Sequence, residues 1–153
     1  MTSPQRLFID QLVAWLKDEV EDTDDWEIIR EEPRNISGQQ TLAVWWVGDA
    51  VFTDDSTTGW LGLVDTYALT YTEPADEGTR VTEDEDAGDL LSEKLQQVRR
   101  CILLHRGLVS AANLAGAFVM EYAGSRKLGA TDDAPGVRGF AVEIRVRRPE
   151  SYT

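Results

Sequence analysis

The sequence predicts a single α+β domain spanning residues 1–153. We expect a mainly antiparallel or mixed sheet of about five strands and two principal helices, in the order α-β-β-β-α-β-β. Three observations carry that expectation. Val137 to Arg148 (VRGFAVEIRVRR) alternates strictly: Phe140, Val142, Ile144 and Val146 fall on one side, and Ala141, Glu143, Arg145 and Arg147 on the other. That is the period-two signal of a strand with one buried and one wet face. Two further stretches, 4–20 and 89–106, carry apolar residues at helical spacing. Between and after them lie runs rich in β-branched and aromatic residues, the composition of strands. With 153 residues, 42% of them hydrophobic, the chain can bury one real core.

Ser3-Pro4 starts the first helix, with a serine cap and proline in the first turn. Phe8, Leu12, Trp15, Leu16 and Val20 then mark its buried stripe. Trp26 to Arg30 reads as a short strand, stopped by Pro33 and a loop around Asn35 and Gly38. Thr41 to Val47 (TLAVWWV) is apolar on both faces, as expected of an interior strand covered on both sides. It is expected to run through a bulge signal at Gly48-Asp49 into Ala50-Val51-Phe52. Trp45 and Trp46 are neighbours on that strand, so they face opposite ways, and a thin layer on either side leaves a tryptophan for a partner. Asp54 to Gly59 is a polar loop, and Trp60 to Thr72 the next strand, ended by Pro74.

Glu73 to Asp89 holds eight acids against one base, Arg80, and is expected to be an exposed, mobile loop. Asp86 or Asp89 then caps the second helix, with Leu91, Leu95, Val98 and Ile102 inward and Lys94, Arg99, Arg100 and Arg106 outward. Gly107 is a plausible helix stop. Leu108 to Gly116 fits either a further helical turn or a loop. Ala117 to Tyr122 is a strand, and Ala123 to Gly136 a long excursion before the last strand, which Pro149 ends and which completes the sheet.

The net charge of −13 argues against a protein that binds nucleic acid by neutralising phosphates. The charge is also uneven: residues 1–93 hold 23 acids and 5 bases, whereas residues 94–153 hold 5 acids and 10 bases. Such a dipolar protomer can meet its neighbours through opposed faces, although a solvated acidic surface gives the same composition. No apolar run approaches the roughly 18 residues of a membrane span, and the N-terminus lacks the features of a signal peptide. A single cysteine, Cys101, excludes an internal disulfide framework and suits a reducing compartment.

Residues capable of chemistry are few. Cys101 and His105 sit four apart on the second helix, a conceivable nucleophile and base, but no third residue orients them in the sequence. A structural role is expected for both. Asp54-x-Ser56-x-Thr58-Gly59 with Asp65 has the oxygen spacing of a calcium loop but is flanked by strands; Asp84 to Asp89 has its glycine one place early. No catalytic residue, cofactor or metal is expected, and the chain does not read as an enzyme.

The order of elements resembles that of the tail terminator proteins of long, non-contractile-tailed (siphovirus-type) phages. The matching features are the helix 4–20, the strands 41–52 and 60–72, the helix 89–106 and the terminal strand ending VEIRVRR. The resemblance implies a structural virion protein, made in the host cytoplasm and located at the head-proximal end of the tail. There it would form a homo-oligomeric ring, typically a hexamer. The ring would cap the major tail tube protein, stop polymerisation and offer its other face to the head–tail connector. Duplex DNA would pass through the lumen unread, with no membrane involved. In such a ring Glu143, Arg145 and Arg147 are the candidates for subunit interface or lumen, together with Glu83, Asp84, Glu85 and Asp86 of the acidic segment. Two other readings fit the same pattern: a small acidic secretion chaperone that binds an extended client, and another head–tail joining or tail-completion protein.

Overall fold

The computed structural model describes residues 3–33, 40–55, 57–74, 81–106, 119–128 and 137–151; of residues 81–90, 119 and 151 only the backbone is described. The first helix, α1 (Pro4–Glu19), begins as its cap dictates: the Ser3 hydroxyl oxygen accepts from the Arg6 backbone N–H at 3.2 Å. A single 3-10 turn at Thr23–Asp25 leads into β1 (Glu27–Ile29). Then come β2 (Thr41–Asp55), β3 (Trp60–Pro74), α2 (Val81–His105), β4 (Val119–Leu128) and β5 (Val137–Ser151). This is the α+β order that the sequence predicts.

The five strands form one mixed sheet in the order β1-β2-β3-β5-β4. β1 runs parallel to β2, and the other neighbours are antiparallel. The last strand therefore slots between β3 and β4 rather than adding at an edge. Both helices pack on one face of the sheet. α1 contributes Phe8, Ile9, Leu12, Val13 and Leu16, and α2 contributes Leu91, Val98, Cys101 and Ile102. They meet Leu42 and Val44 of β2, Tyr67, Leu69 and Tyr71 of β3, Met120 of β4, and Phe140, Val142, Ile144 and Val146 of β5. The alternation read in the last strand is thus the alternation between core and the opposite face. Aromatic rings thread this core: Phe8 lies 4.6 Å from Tyr67, Trp26 4.8 Å from Tyr71, and Tyr71 5.2 Å from Phe140, centroid to centroid.

Several boundaries differ from expectation for identifiable reasons. α2 begins at Val81, so the second half of the acidic segment is helical rather than loop. Acids are favourable in the first turns of a helix, where they face the positive end of its dipole. At the other end of that segment, Glu73 and Pro74 are the last residues of β3. Glu73 is buried and holds three donors: Tyr71 OH at 3.1 Å, Lys94 Nζ at 2.9 Å and Arg138 Nε at 3.0 Å. Burial alone would raise the Glu73 carboxyl, but the hydrogen bond and charge of Lys94, with Tyr71 and Arg138, outweigh it and hold its pKa below the usual value. Lys94 therefore faces the sheet, not solvent. Arg99 does likewise, donating to Tyr122 OH at 3.0 Å and Ser125 Oγ at 3.1 Å.

β4 extends to Leu128, so Ala123 to Leu128 belong to a strand, with a bulge between Tyr122 and Gly124. β5 passes through Pro149, which pairs with Gly62 of β3. Pairing with β4 stops at Arg147, so on that side Pro149 interrupts no ladder. The expected loop at 34–39, the ambiguous stretch 108–116, Gly107 and the excursion 129–136 lie outside the described residues.

Candidate functional site

Among the described residues no helix covers the second face of the sheet. TLAVWWV was expected to be covered on both faces, and over Thr41–Val44 it is: Leu42 and Val44 meet the helices, and Ala43, which points to the other side, is also buried, whereas Trp45 on that side is half-buried and Trp46 and Val47 are exposed. That side is built from small residues, with Ala68 and Thr70 of β3 and Ala141 of β5 beside Trp45, whose Nε1 donates to Thr70 Oγ1 at 3.5 Å. The result is a shallow trough of about 530 Å³, with Gly124, Arg126 and Glu143 along its far wall. Gly124 takes a φ of 136°, a left-handed backbone that glycine tolerates, and this is where β4 bulges.

The face continues into the charged side of β5. Glu143 and Arg145 pair at 3.2 Å, and Arg147 reaches Glu121 of β4 at 3.4 Å, all with side chains about half exposed. The three β5 residues expected at an interface or lumen therefore share one surface with the trough. Glu83, Asp84, Glu85 and Asp86 do not belong to it as a loop; they lie on the first turns of α2, and their side chains lie outside the described residues.

Beyond Ala43 on one side and Arg147 on the other, β2, β3 and β5 run on without β1 and β4, as a three-stranded extension. β2 is bulged between Trp46 and Gly48, just before the extension, and between Val51 and Thr53 on it. Val51, Phe52 and Trp60 are exposed on the extension, and Trp46 and Val47 are exposed on the stretch of β2 that leads into it, a concentration of apolar surface that scattered single residues do not explain. The Phe52 ring lies against Gly62, and the Arg147 guanidinium sits 5.5 Å from that ring's centroid. The hairpin tip is shaped by Asp55, whose carboxylate accepts from the Thr57 hydroxyl at 2.7 Å and from the Thr57 and Thr58 N–H groups. Those bonds, led by the Thr57 and Thr58 side chains, hold the Asp55 pKa down. Of the two acids in the calcium-like spacing, Asp65 is buried against Arg148 and Asp54 is exposed; Asp55, which shapes the turn, lies between its ligand positions.

The sheet order also sorts the charge. The β1–β2 edge carries exposed Asp24, Asp25, Glu27, Glu31, Glu32, Asp49 and Asp54, whereas the β4 edge carries exposed Arg126 and Lys127 beside a single exposed acid, Glu121. The two edges of the sheet thus differ in charge, strongly acidic at one and weakly basic at the other.

Cys101 and His105 do meet, and the orienting residues missing from the sequence pattern come from α1. His105 Nδ1 lies 2.9 Å from the Cys101 carbonyl oxygen and 3.9 Å from its Sγ. Nε2 lies 3.1 Å from Glu19 Oε1, and the ring stacks on Trp15 at 4.6 Å. The thiol is buried, and desolvation, with the Glu19 and Asp18 charges, pushes its pKa up to about 12. That is the reverse of what activates a nucleophilic cysteine.

The sequence singled out the Trp45–Trp46 pair, of which Trp46 is the exposed member, but not the exposed Phe52 and Trp60, nor the buried Asp65–Arg148 and Glu73 clusters. Paired partners such as Asp65 and Arg148 lie too far apart in the chain for any spacing rule to join them.

These features define the class: an α+β domain with both helices on one sheet face, an opposite face without a helix among the described residues, and edges that differ in charge. No protein-family model matches the chain, and no curated protein matches it. Among solved structures the fold is similar to that of the sheath/tube terminator of an extracellular contractile injection system, PVC, in its extended state. That match covers 100% of this chain with a TM-score of 0.53 at 12% sequence identity. This chain spans 58% of the length of the solved one. At that identity the likeness is one of fold alone.

Proposed function

We propose that this protein is a structural tail terminator: a ring-forming protein without catalytic activity that caps the end of a tail tube. The observation that supports the reading is the likeness of its whole described fold to a sheath/tube terminator. Two features of the chain fit it. One edge of the sheet is strongly acidic and the other carries Arg126 and Lys127, a difference that suits a head-to-tail contact between copies. The helix-free face and the apolar extension present Trp45, Phe52, Trp60 and the β5 charges without a covering layer among the described residues.

In a phage, such a ring, a hexamer in this proposal, meets the major tail tube protein on one side and the head connector on the other, at the head-proximal end of the virion tail. DNA passes through it without being read. Glu143, Arg145 and Arg147 contribute to the subunit contact or the lumen. The test is native mass spectrometry and electron microscopy of the full chain, alone and mixed with its tube protein. Closed rings docked on tube ends are expected. Twofold dimers that take up an extended peptide would instead place the protein among the secretion chaperones.

A further inference from the structure

The junction between the C-terminal ends of α1 and α2 holds a second arrangement that a terminator ring does not use. Glu19, Cys101 and His105 each offer a ligand atom, and these atoms lie within 4.8 Å of one another. We propose that they form a binding site for one thiophilic divalent cation of the zinc class, with Cys101 Sγ, His105 Nε2 and a Glu19 carboxylate oxygen as ligands.

The donor set is that of zinc: thiolate, imidazole and carboxylate, three from the protein with a fourth position left open. The four-residue spacing on α2 puts Cys101 and His105 on the same helix face. The imidazole is already set as a ligand. Its Nδ1 is 2.9 Å from the Cys101 carbonyl oxygen, so the N–H on that side is used, and Nε2 is the nitrogen turned toward Glu19. A ligating histidine ordinarily shows this arrangement, with one ring nitrogen donating to a backbone carbonyl while the other binds the ion. Trp15 stacks on the ring at 4.6 Å.

A depression of about 430 Å³, bordered by Glu19, Glu21, Gln97, Arg100, Cys101 and Leu104, opens beside two of the three ligands. The present separations are those of a salt bridge, Glu19 to His105, beside a thiol. Bond lengths of about 2.0–2.3 Å to zinc draw the three ligand atoms inward. On binding, the Cys101 S–H bond breaks and the proton held between His105 Nε2 and Glu19 Oε1 is released with it; both protons pass to solvent, the sulfur coordinates as thiolate and Nε2 through its freed lone pair, and Glu19 exchanges its contact with His105 for one with the ion. The ion then ties the last turn of α1 to the last turn of α2.

The test is a cobalt(II) titration of the full chain under reducing conditions, followed by displacement with zinc. Expected are a thiolate-to-cobalt charge-transfer absorption that saturates at one ion per chain, and a rise in melting temperature with zinc. Cys101→Ser should abolish the absorption. His105→Gln and Glu19→Gln should each weaken binding by more than the roughly 10–100-fold that loss of an outer-shell partner costs. Each variant is compared with the wild type without metal by near-ultraviolet circular dichroism, so that a misfolded variant is recognised and replaced by Cys101→Ala or His105→Asn. Absence of the absorption in the wild type would overturn the site. So would an absorption that persists at unchanged affinity in both His105→Gln and Glu19→Gln, since the thiol would then be binding alone. The readout is independent of ring assembly, so the site and the terminator reading stand or fall separately.

Discussion

Arg148 Nε donates to the Asp65 carboxylate across the β3–β5 pair, and both side chains are buried, Asp65 completely. The second Asp65 oxygen accepts from Trp46 Nε1 at 3.1 Å, and Glu150 approaches the other side of the guanidinium at 3.5 Å. The pair sits where the three-stranded extension leaves the rest of the sheet. Burial works against the charge on Arg148, but the hydrogen bond and charge of Asp65 outweigh it and raise its pKa. Removing one member leaves the other charged and dry, a loss of about 3–5 kcal/mol. Asp65→Ala should therefore lower unfolding stability by that order in urea, while Asp65→Leu combined with Arg148→Met should recover much of it. A loss below about 1 kcal/mol for the single change would mean that the pair behaves as an exposed one.

The two sides of β5 should separate stability from assembly. Ile144 is fully buried, so Ile144→Ala should cost about 2–5 kcal/mol. Arg145 is half exposed and pairs only with Glu143 two residues away among the described residues, so Arg145→Ala should stay within about 0.5 kcal/mol. The arginine variant should weaken ring formation instead. Equal thermal destabilisation by the two changes would contradict this assignment of faces.

Acid should weaken the end of the sheet through Glu73. Its pKa is lowered in the folded state, so it contributes stability that is present above the ordinary carboxyl value of 4.5 and is lost as pH falls through the lower, folded value. Unfolding free energy should fall with acidification below about pH 4.5, and Glu73→Gln should flatten part of that slope while lowering stability at neutral pH. A pH profile in the variant identical in shape to that of the wild type would remove Glu73 as a contributor.

Most of the architecture was legible because it rests on local signals. The Ser3-Pro4 cap, the helical stripe of α1 and the alternation in β5 each encode an element within a dozen residues, and each is where it was expected. Failures came where tertiary structure overrides local cues. Pro149 looks like a strand stop, yet β5 continues because pairing with β4 ends two residues earlier, at Arg147. The acidic stretch looks like loop by composition, yet Glu73 is buried because Lys94 and Arg138, distant in sequence, neutralise it. Of the candidate surface, the β5 charges were visible from alternation. The small-residue trough was not, since Ala43, Ala68, Thr70 and Ala141 gain meaning only from strand register.

Two glycines in adjoining strand pairs should respond differently to the same added methyl group. At Gly139 a Cβ would lie 1.8 Å from the Tyr71 carbonyl oxygen, which is backbone of the β3–β5 ladder. Neither partner can yield without breaking strand pairing, so Gly139→Ala should cost at least the roughly 1–3 kcal/mol of an overpacked core site. At Gly62 the nearest atoms, from 2.6 Å, all belong to the Phe52 ring, an exposed side chain that can rotate away. Gly62→Ala should therefore leave unfolding stability nearly unchanged while dislodging Phe52 from its place under Arg147. If the extension is an assembly surface, that small displacement should reduce docking on tubes in a pull-down even though the fold is intact. Docking at wild-type levels by a Gly62→Ala protein whose Phe52 has demonstrably moved, by aromatic proton shifts, would exclude the ring of Phe52 from the contact. Comparable destabilisation by the two substitutions would instead show that Phe52 is held as rigidly as backbone.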